Sequence, residues 1–146
     1  MSGYTLLARR PEGRGERGQS LVELAIVLPI LLALLVGIFE MGRAWNVYQV
    51  LTNAAREGAR AAVIPTNAES DVRTTIESYL ADAALDPALG TITITGQGNG
   101  VGTPSQVEIE YPYEFAFLGP VVSLLGESST VPGAISLSTA VTMRNE

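Results

Sequence analysis

The sequence predicts an α+β fold: a long amino-terminal transmembrane α-helix that continues into a small domain with a second helix and a three-stranded antiparallel sheet. Three observations predict it. Residues 24–39 are sixteen apolar residues in a row, and a helical period carries on from there to Ile64. A shorter helical period follows over 69–85. Three stretches beyond Gly90 then alternate apolar and polar residues, the period of half-buried strands.

Sixteen residues span about 24 Å at 1.5 Å per residue, and a hydrocarbon core of about 30 Å usually takes 17–25. Counting back to Leu21 gives nineteen, with a span of about 21–39, and sets Glu23 one turn inside the membrane edge. A carboxylate there is costly unless it is partnered. Ser20 with Glu23 three residues on also fits a helix-opening capping box, so a helix-start acid and a partnered membrane acid are both open readings. A secretory signal peptide has an apolar region of only about 7–15 residues and a small-residue cleavage site; here the run ends in Phe39-Glu40-Met41-Gly42-Arg43. Pro29 inside the run removes one backbone hydrogen bond and predicts a mild kink.

Past Phe39 the helix turns amphipathic, with Val47, Leu51, Ala54, Gly58 and Ala61 on one stripe. Ala54, Gly58 and Ala62 are spaced four apart, as are Ala55 and Ala59, and small residues in such rows let a neighbouring element approach closely. Arg56 and Arg60 form a charged ridge off that stripe, either a solvated face or a contact to an acidic neighbour. Trp45 and Tyr48 fall just beyond the span, where aromatic side chains anchor at an interface. Pro65 ends the helix, which runs 19–64.

The second helix is expected to be capped by Asn67 or Ser70, to turn Val72, Ile76, Tyr79, Leu80 and Ala83 inward, and to stop at Asp86-Pro87. Residues 91–95 make the first strand, and the glycine-rich 96–102 a flexible turn with no phosphate-loop pattern. Residues 106–117 make the second, with Val107, Ile109, Tyr111, Tyr113 and Phe115 on one face and Glu108, Glu110 and Glu114 on the other. Pro112 predicts an edge strand or a bulge. Residues 118–126 read as a short helix or a loop lying on the core or the membrane surface, and Pro132-Gly133 as a turn. In the last strand Ile135, Leu137, Thr139, Val141 and Met143 share a face. Each strand has one apolar face, so the sheet needs a cover on one side, and the small-residue stripe of the long helix is the natural one.

With 146 residues the chain has room for one modest domain beside the helix. It contains no cysteine and no histidine, which removes thiol catalysis and the usual zinc and haem sites. No cofactor is expected. A hydrolase would have to rest on a carboxylate pair, and Glu108/Glu110 is the one worth testing. Residues 1–18 carry four arginines against two acids, whereas 19–146 carry five arginines against thirteen acids. Basic residues beside the span argue for a cytoplasmic amino terminus and an exported carboxy terminus. The acidic exported part argues against nucleic-acid binding.

The flank of the apolar run holds a further pattern. A basic leader ends in Gly18, Gln19 follows, and Glu23 is the fifth residue counted from Gln19. This resembles the processing site of type IV pilin-like proteins. Together with Asn53-Ala54-Ala55-Arg56-Glu57-Gly58-Ala59-Arg60-Ala61-Ala62 it resembles the TadE-like proteins, minor pilins or pseudopilins of the tight-adherence (Tad) system. The resemblance covers the first 64 residues well and the last strand loosely.

It implies a non-enzymatic subunit of a pilin-like plan, acting in pilus assembly, adhesion or secretion. It implies residues 1–18 as a leader cut by prepilin peptidase between Gly18 and Gln19, and Glu23 as the acid that pairs with the freed amine of a neighbouring subunit. The partners it implies are that peptidase, other pilin subunits through the amino-terminal helix, the inner-membrane assembly platform and membrane lipid. Residues 65–146 would then be the extracytoplasmic domain. An uncleaved bitopic scaffold of the secretion machinery is the alternative.

Overall fold

A computed structural model of the chain describes residues 14–118, 120 and 134–145. Helix α1, Arg14–Ala62, is 49 residues long with Pro29 inside it, about 73 Å at the ideal rise. It starts inside the leader of residues 1–18, ahead of the expected start at Gln19. Arg14, Glu16 and Arg17 are good helix formers, and no proline intervenes before the span. Residues 1–13 lie outside the described residues. The helix ends at Ala62 because Pro65 disfavours helical geometry at Ile64. Asn67, expected to cap the second helix, instead donates its Nδ2 to the Ala61 carbonyl at 3.0 Å and satisfies the end of the first.

Helix α2, Glu69–Asp82, has Ala68 at its N-cap rather than Asn67 or Ser70. Ala68 offers no side-chain acceptor, and the Asp71 carboxylate reaches back to accept from the Ala68 N–H at 2.9 Å. The helix stops short of residue 85 in a Schellman turn. Ala84 is left-handed (φ 59°), its N–H donates to Ala81 O at 2.9 Å, and Leu85 N–H donates to Leu80 O at 2.9 Å. Glycine usually holds that position, so an alanine there gave no stop signal. Val72, Ile76 and Leu80 are buried; Tyr79 and Ala83, expected inside, are exposed.

Strands β1 (Thr91–Thr95), β2 (Pro104–Glu114) and β3 (Ala134–Arg144) form one antiparallel sheet in the order β1-β2-β3. Pro112 therefore lies on the central strand, without a bulge, paired with Ser136. β1 stops opposite Glu110, so at Pro112 the side of β2 facing away from β3 is locally an edge, and a missing donor is tolerated there. β2 ends at Glu114, short of Phe115. The expected conformation of 118–126 and the turn at Pro132-Gly133 fall almost wholly outside the described residues.

The β1–β2 loop is less free than its composition suggests. Gly96, Gly98, Gly100 and Gly102 all take positive φ, and a Cβ on Gly96 would overlap the Pro104 carbonyl. Asn145 Nδ2 ties the loop down through Gly96 O at 3.1 Å and Thr103 Oγ1 at 2.9 Å.

The outer half of α1 lies across the inner face of β2 and β3, with α2 beside it. Leu51, Ala54, Ala55, Ala59 and Ala62 meet Val72, Ile76 and Leu80 from α2 and Ile92, Val107, Ile109 and Tyr111 from the sheet. At Gly58 a Cβ would stand 2.5 Å from Ile76 Cγ1, so the two helices approach at a distance no other residue allows without a shift. Arg73 Nη1 extends from α2 to the Ile92 carbonyl of β1 at 3.4 Å.

Candidate functional site

Among the described residues the inner half of α1 stands clear of the domain up to Phe39, whose ring meets Phe117. Leu21, Leu24, Ile26, Ile30, Leu34 and Ile38 are all exposed, and among the described residues this is one helix long and apolar enough to cross a membrane. A core helix of a soluble protein passes the same test but hides its apolar surface; here that surface is open on every side. Gly18, Gln19 and Glu23 lie at the start of this free section, all exposed, and the space around Gly18 is empty. Gln19 and Glu23 are one turn apart and share a face.

The free section ends at a residue that sequence reasoning passed over. Glu40, the first charge after the apolar run, is 1% exposed. Its Oε1 accepts from the Phe117 N–H at 2.7 Å, and its Oε2 from Tyr113 Oη at 2.9 Å and from Arg43 Nη1 at 3.2 Å. Arg43 also lies over the Tyr113 and Phe117 rings, 5.8 and 6.0 Å from their centroids. The Glu40 carboxylate is closed to water yet sits at the rim of the domain, where the helix emerges. Burial pushes the Glu40 pKa up, but the Phe117 N–H, the Tyr113 hydroxyl, the Arg43 charge and the Ala116 N–H outweigh it and hold the carboxyl below its ordinary value. Tyr113 is pushed up, by burial and then by its bond to Glu40.

One signal pointed to this pairing. Tyr113 lies on the apolar face of its strand, and a buried tyrosine hydroxyl asks for a partner. Which of the acids supplies it is a tertiary fact, set by residues 73 positions apart.

Of the small-residue row, Ala54, Gly58 and Ala62 are all buried against the chain's own α2 and sheet. Arg56 and Arg60 are exposed on the opposite side, with Arg56 Nη1 3.4 Å from Asn53 Oδ1. Glu108 and Glu110 stand on the open face of the sheet, where Glu108 accepts from Ser138 Oγ at 3.5 Å. Among the described residues no group of three or more acids is placed to hold a metal ion.

Comparison with known proteins agrees with the amino-terminal pattern. Residues 18–60 match the family model of TadE-like proteins, the resemblance that the glycine–acid spacing and the Ala/Arg block imply. The match begins at Gly18 and ends at Arg60, within α1 throughout. No curated protein and no solved structure matches the chain.

Proposed function

We propose, from the TadE-like match over the amino-terminal helix, that this protein is a minor pilin or pseudopilin of a tight-adherence pilus or secretion system and has no enzymatic role. The observation that carries the reading is the free half of α1, which presents Gly18, Gln19 and Glu23 at the head of an apolar rod with nothing of its own to pack against. Such a rod is complete only in lipid or among the helices of other subunits.

In this reading prepilin peptidase cuts between Gly18 and Gln19 on the cytoplasmic side. The scissile bond lies inside a helix, and a protease needs it extended. Gly18 and Gly15 weaken the helix there by roughly 1 kcal/mol each relative to alanine, which eases opening of the first turns of α1. Cleavage removes the leader arginines and exposes an amine at Gln19. Glu23 of one subunit then pairs with that amine in the next, which offsets the burial of both charges and sets their axial register. Residues 65–146 lie on the extracytoplasmic side, and the assembly platform of the inner membrane extracts the rod into the filament.

Intact-mass measurement of the protein from its native membrane tests the first step. Loss of residues 1–18 only when prepilin peptidase is active is the expected result. An uncut chain in both samples would leave a bitopic scaffold instead. Glu23→Gln tests the second step: insertion and domain stability stay unchanged and filament assembly is lost.

A further inference from the structure

We propose that the turn after β2 is a lipid-contacting surface, through which the domain lies against the membrane from which its helix emerges. The occupant is the outer leaflet's interfacial region, and the contact residues are Phe117 with Phe39. This rests on the reading of α1 as a membrane-spanning helix.

Four observations carry it. Phe117 packs edge-on against Phe39, with ring centroids 6.1 Å apart. Phe39 is the last residue of the apolar span, so Phe117 stands at the level where the chain leaves the hydrocarbon. Both rings keep about half their surface open, 58% for Phe39 and 52% for Phe117. The open patch is therefore continuous with the lipid-facing surface of the helix, and no residue of the described chain covers it. Finally, the turn is pinned there by Glu40, which accepts the Phe117 N–H at 2.7 Å and the Tyr113 hydroxyl at 2.9 Å.

The same arrangement accounts for a carboxylate at the edge of a membrane. Beside hydrocarbon, Glu40 has little water to turn to. The turn brings it two backbone N–H groups and a hydroxyl, and Arg43 one helical turn farther out supplies the countercharge. Arg43 holds its guanidinium on Glu40 and over the two rings, and with 43% of its side chain exposed it remains open to headgroups at that level. Trp45, about 9 Å above Phe39 at the ideal rise, marks the upper edge of this belt. Trp is enriched at that depth because its ring is apolar and its N–H can reach water or headgroups, whereas the wholly apolar Phe39 and Phe117 fit the hydrocarbon side of the same boundary.

The contact has a consequence for assembly. A domain held at its base against lipid is fixed in tilt as well as depth, and it must let go of the bilayer when the subunit leaves the membrane for a filament.

The test uses the full chain in vesicles of phosphatidylcholine and phosphatidylglycerol. The one native tryptophan is removed by Trp45→Phe, and single reporters are placed by Ile30→Trp at mid-span and, separately, by Phe117→Trp. Position 117 is half exposed, so it tolerates the larger ring. Lipids brominated shallow in the acyl chain should quench Phe117→Trp, lipids brominated deep should quench Ile30→Trp, and aqueous iodide should reach neither. Adding Glu40→Gln should reduce the quenching at 117 and leave that at 30 unchanged.

If Ile30→Trp is quenched by lipid while Phe117→Trp is quenched by iodide alone, the turn faces water and the proposal is wrong. If Phe117→Trp is shielded from both quenchers, a protein surface covers it, such as a second copy, and the proposal is equally wrong. If Ile30→Trp itself escapes the lipid quenchers, the spanning reading fails and takes the inference with it.

Discussion

The two halves of α1 solve the burial of apolar surface in opposite ways. The inner half, residues 21–39, is built mainly of Leu, Ile and Val, and among the described residues it meets the domain at its outer end, where Phe39 packs against Phe117. The outer half buries Leu51, Ala54, Ala55, Gly58, Ala59 and Ala62 outright, with Val47, Val50 and Ala61 half-buried beside them. Residue size marks the partner. A fluid bilayer has no fixed shape to match, so bulk and apolarity suffice. A helix and a sheet have fixed backbones, and small side chains let those backbones come close enough to exclude water between them. Gly58 against Ile76 is the limiting case.

The widest split between the halves comes from making the same substitution in each. Leu51→Ala removes a side chain with no exposure from the centre of the core and should lower the unfolding free energy of the domain by about 2–5 kcal/mol. Leu31→Ala, on the free half, should leave the domain's melting curve where it was. Thermal denaturation in detergent, followed by near-ultraviolet circular dichroism, reads both. Equal shifts would mean that the inner half packs on the domain after all.

The next largest effect belongs to the joint. Glu40→Leu leaves the Phe117 N–H without its acceptor in a closed site, at roughly 1–3 kcal/mol for an unsatisfied group, and leaves the Tyr113 hydroxyl only the longer bond to the backbone carbonyl of residue 40, at 3.3 Å. Glu40→Gln keeps an acceptor and should lose less. The order of the two variants is the check: an amide that proves worse than leucine would mean that the site tolerates apolar filling and that the hydrogen bonds matter little.

How much of this was legible beforehand divides along the same line. The alternation of Ile92 with Ile94, of Val107 through Tyr113 and of Ile135 through Met143 fixes three strands and their inward faces, because a period of two has one explanation. The helix stripe through Leu51 and Ala54 is as plain. What escaped depends on partners far away in sequence or on backbone states with no residue signature. Glu40 looked like the polar end of a span until Tyr113 and Phe117 were brought to it. Ala84 takes a conformation that glycine normally announces. Pro112 belongs to a central strand whose neighbour happens to stop two residues earlier. For Gly18, Gln19 and Glu23, the residues proposed for processing and assembly, the spacing was visible in the sequence, and the proposed role depends on molecules other than this one.

A smaller effect follows from the depressed pKa of Glu40. In the unfolded chain its carboxyl protonates in the ordinary range, near 4.5, and in the folded chain only below that. Between the two, the unfolded state binds more protons, so stability falls as the pH falls. The contribution is whole above the ordinary value and is lost as the pH drops through the folded one. Glu40→Gln removes this part of the acid limb, so its melting temperature should drop less steeply than wild type below about pH 4.5. Parallel acid limbs would assign the loss to other carboxylates.

The smallest effect on the fold is expected at Arg56 and Arg60, and that makes it informative. Both are exposed on the side of the outer half turned away from the core, and Arg56 has only a long contact to Asn53. Exposed substitutions of this kind usually fall within about 0.5 kcal/mol, so Arg56→Ala with Arg60→Ala should melt like wild type. Filament assembly of the same double variant is then free of any folding artefact. Lost assembly with an unchanged melting curve would make the ridge a contact to an acidic neighbour, giving the outer half of α1 two working faces. Unchanged assembly would make it a solvated surface, and intersubunit contacts would concentrate on the inner half, where Glu23 lies.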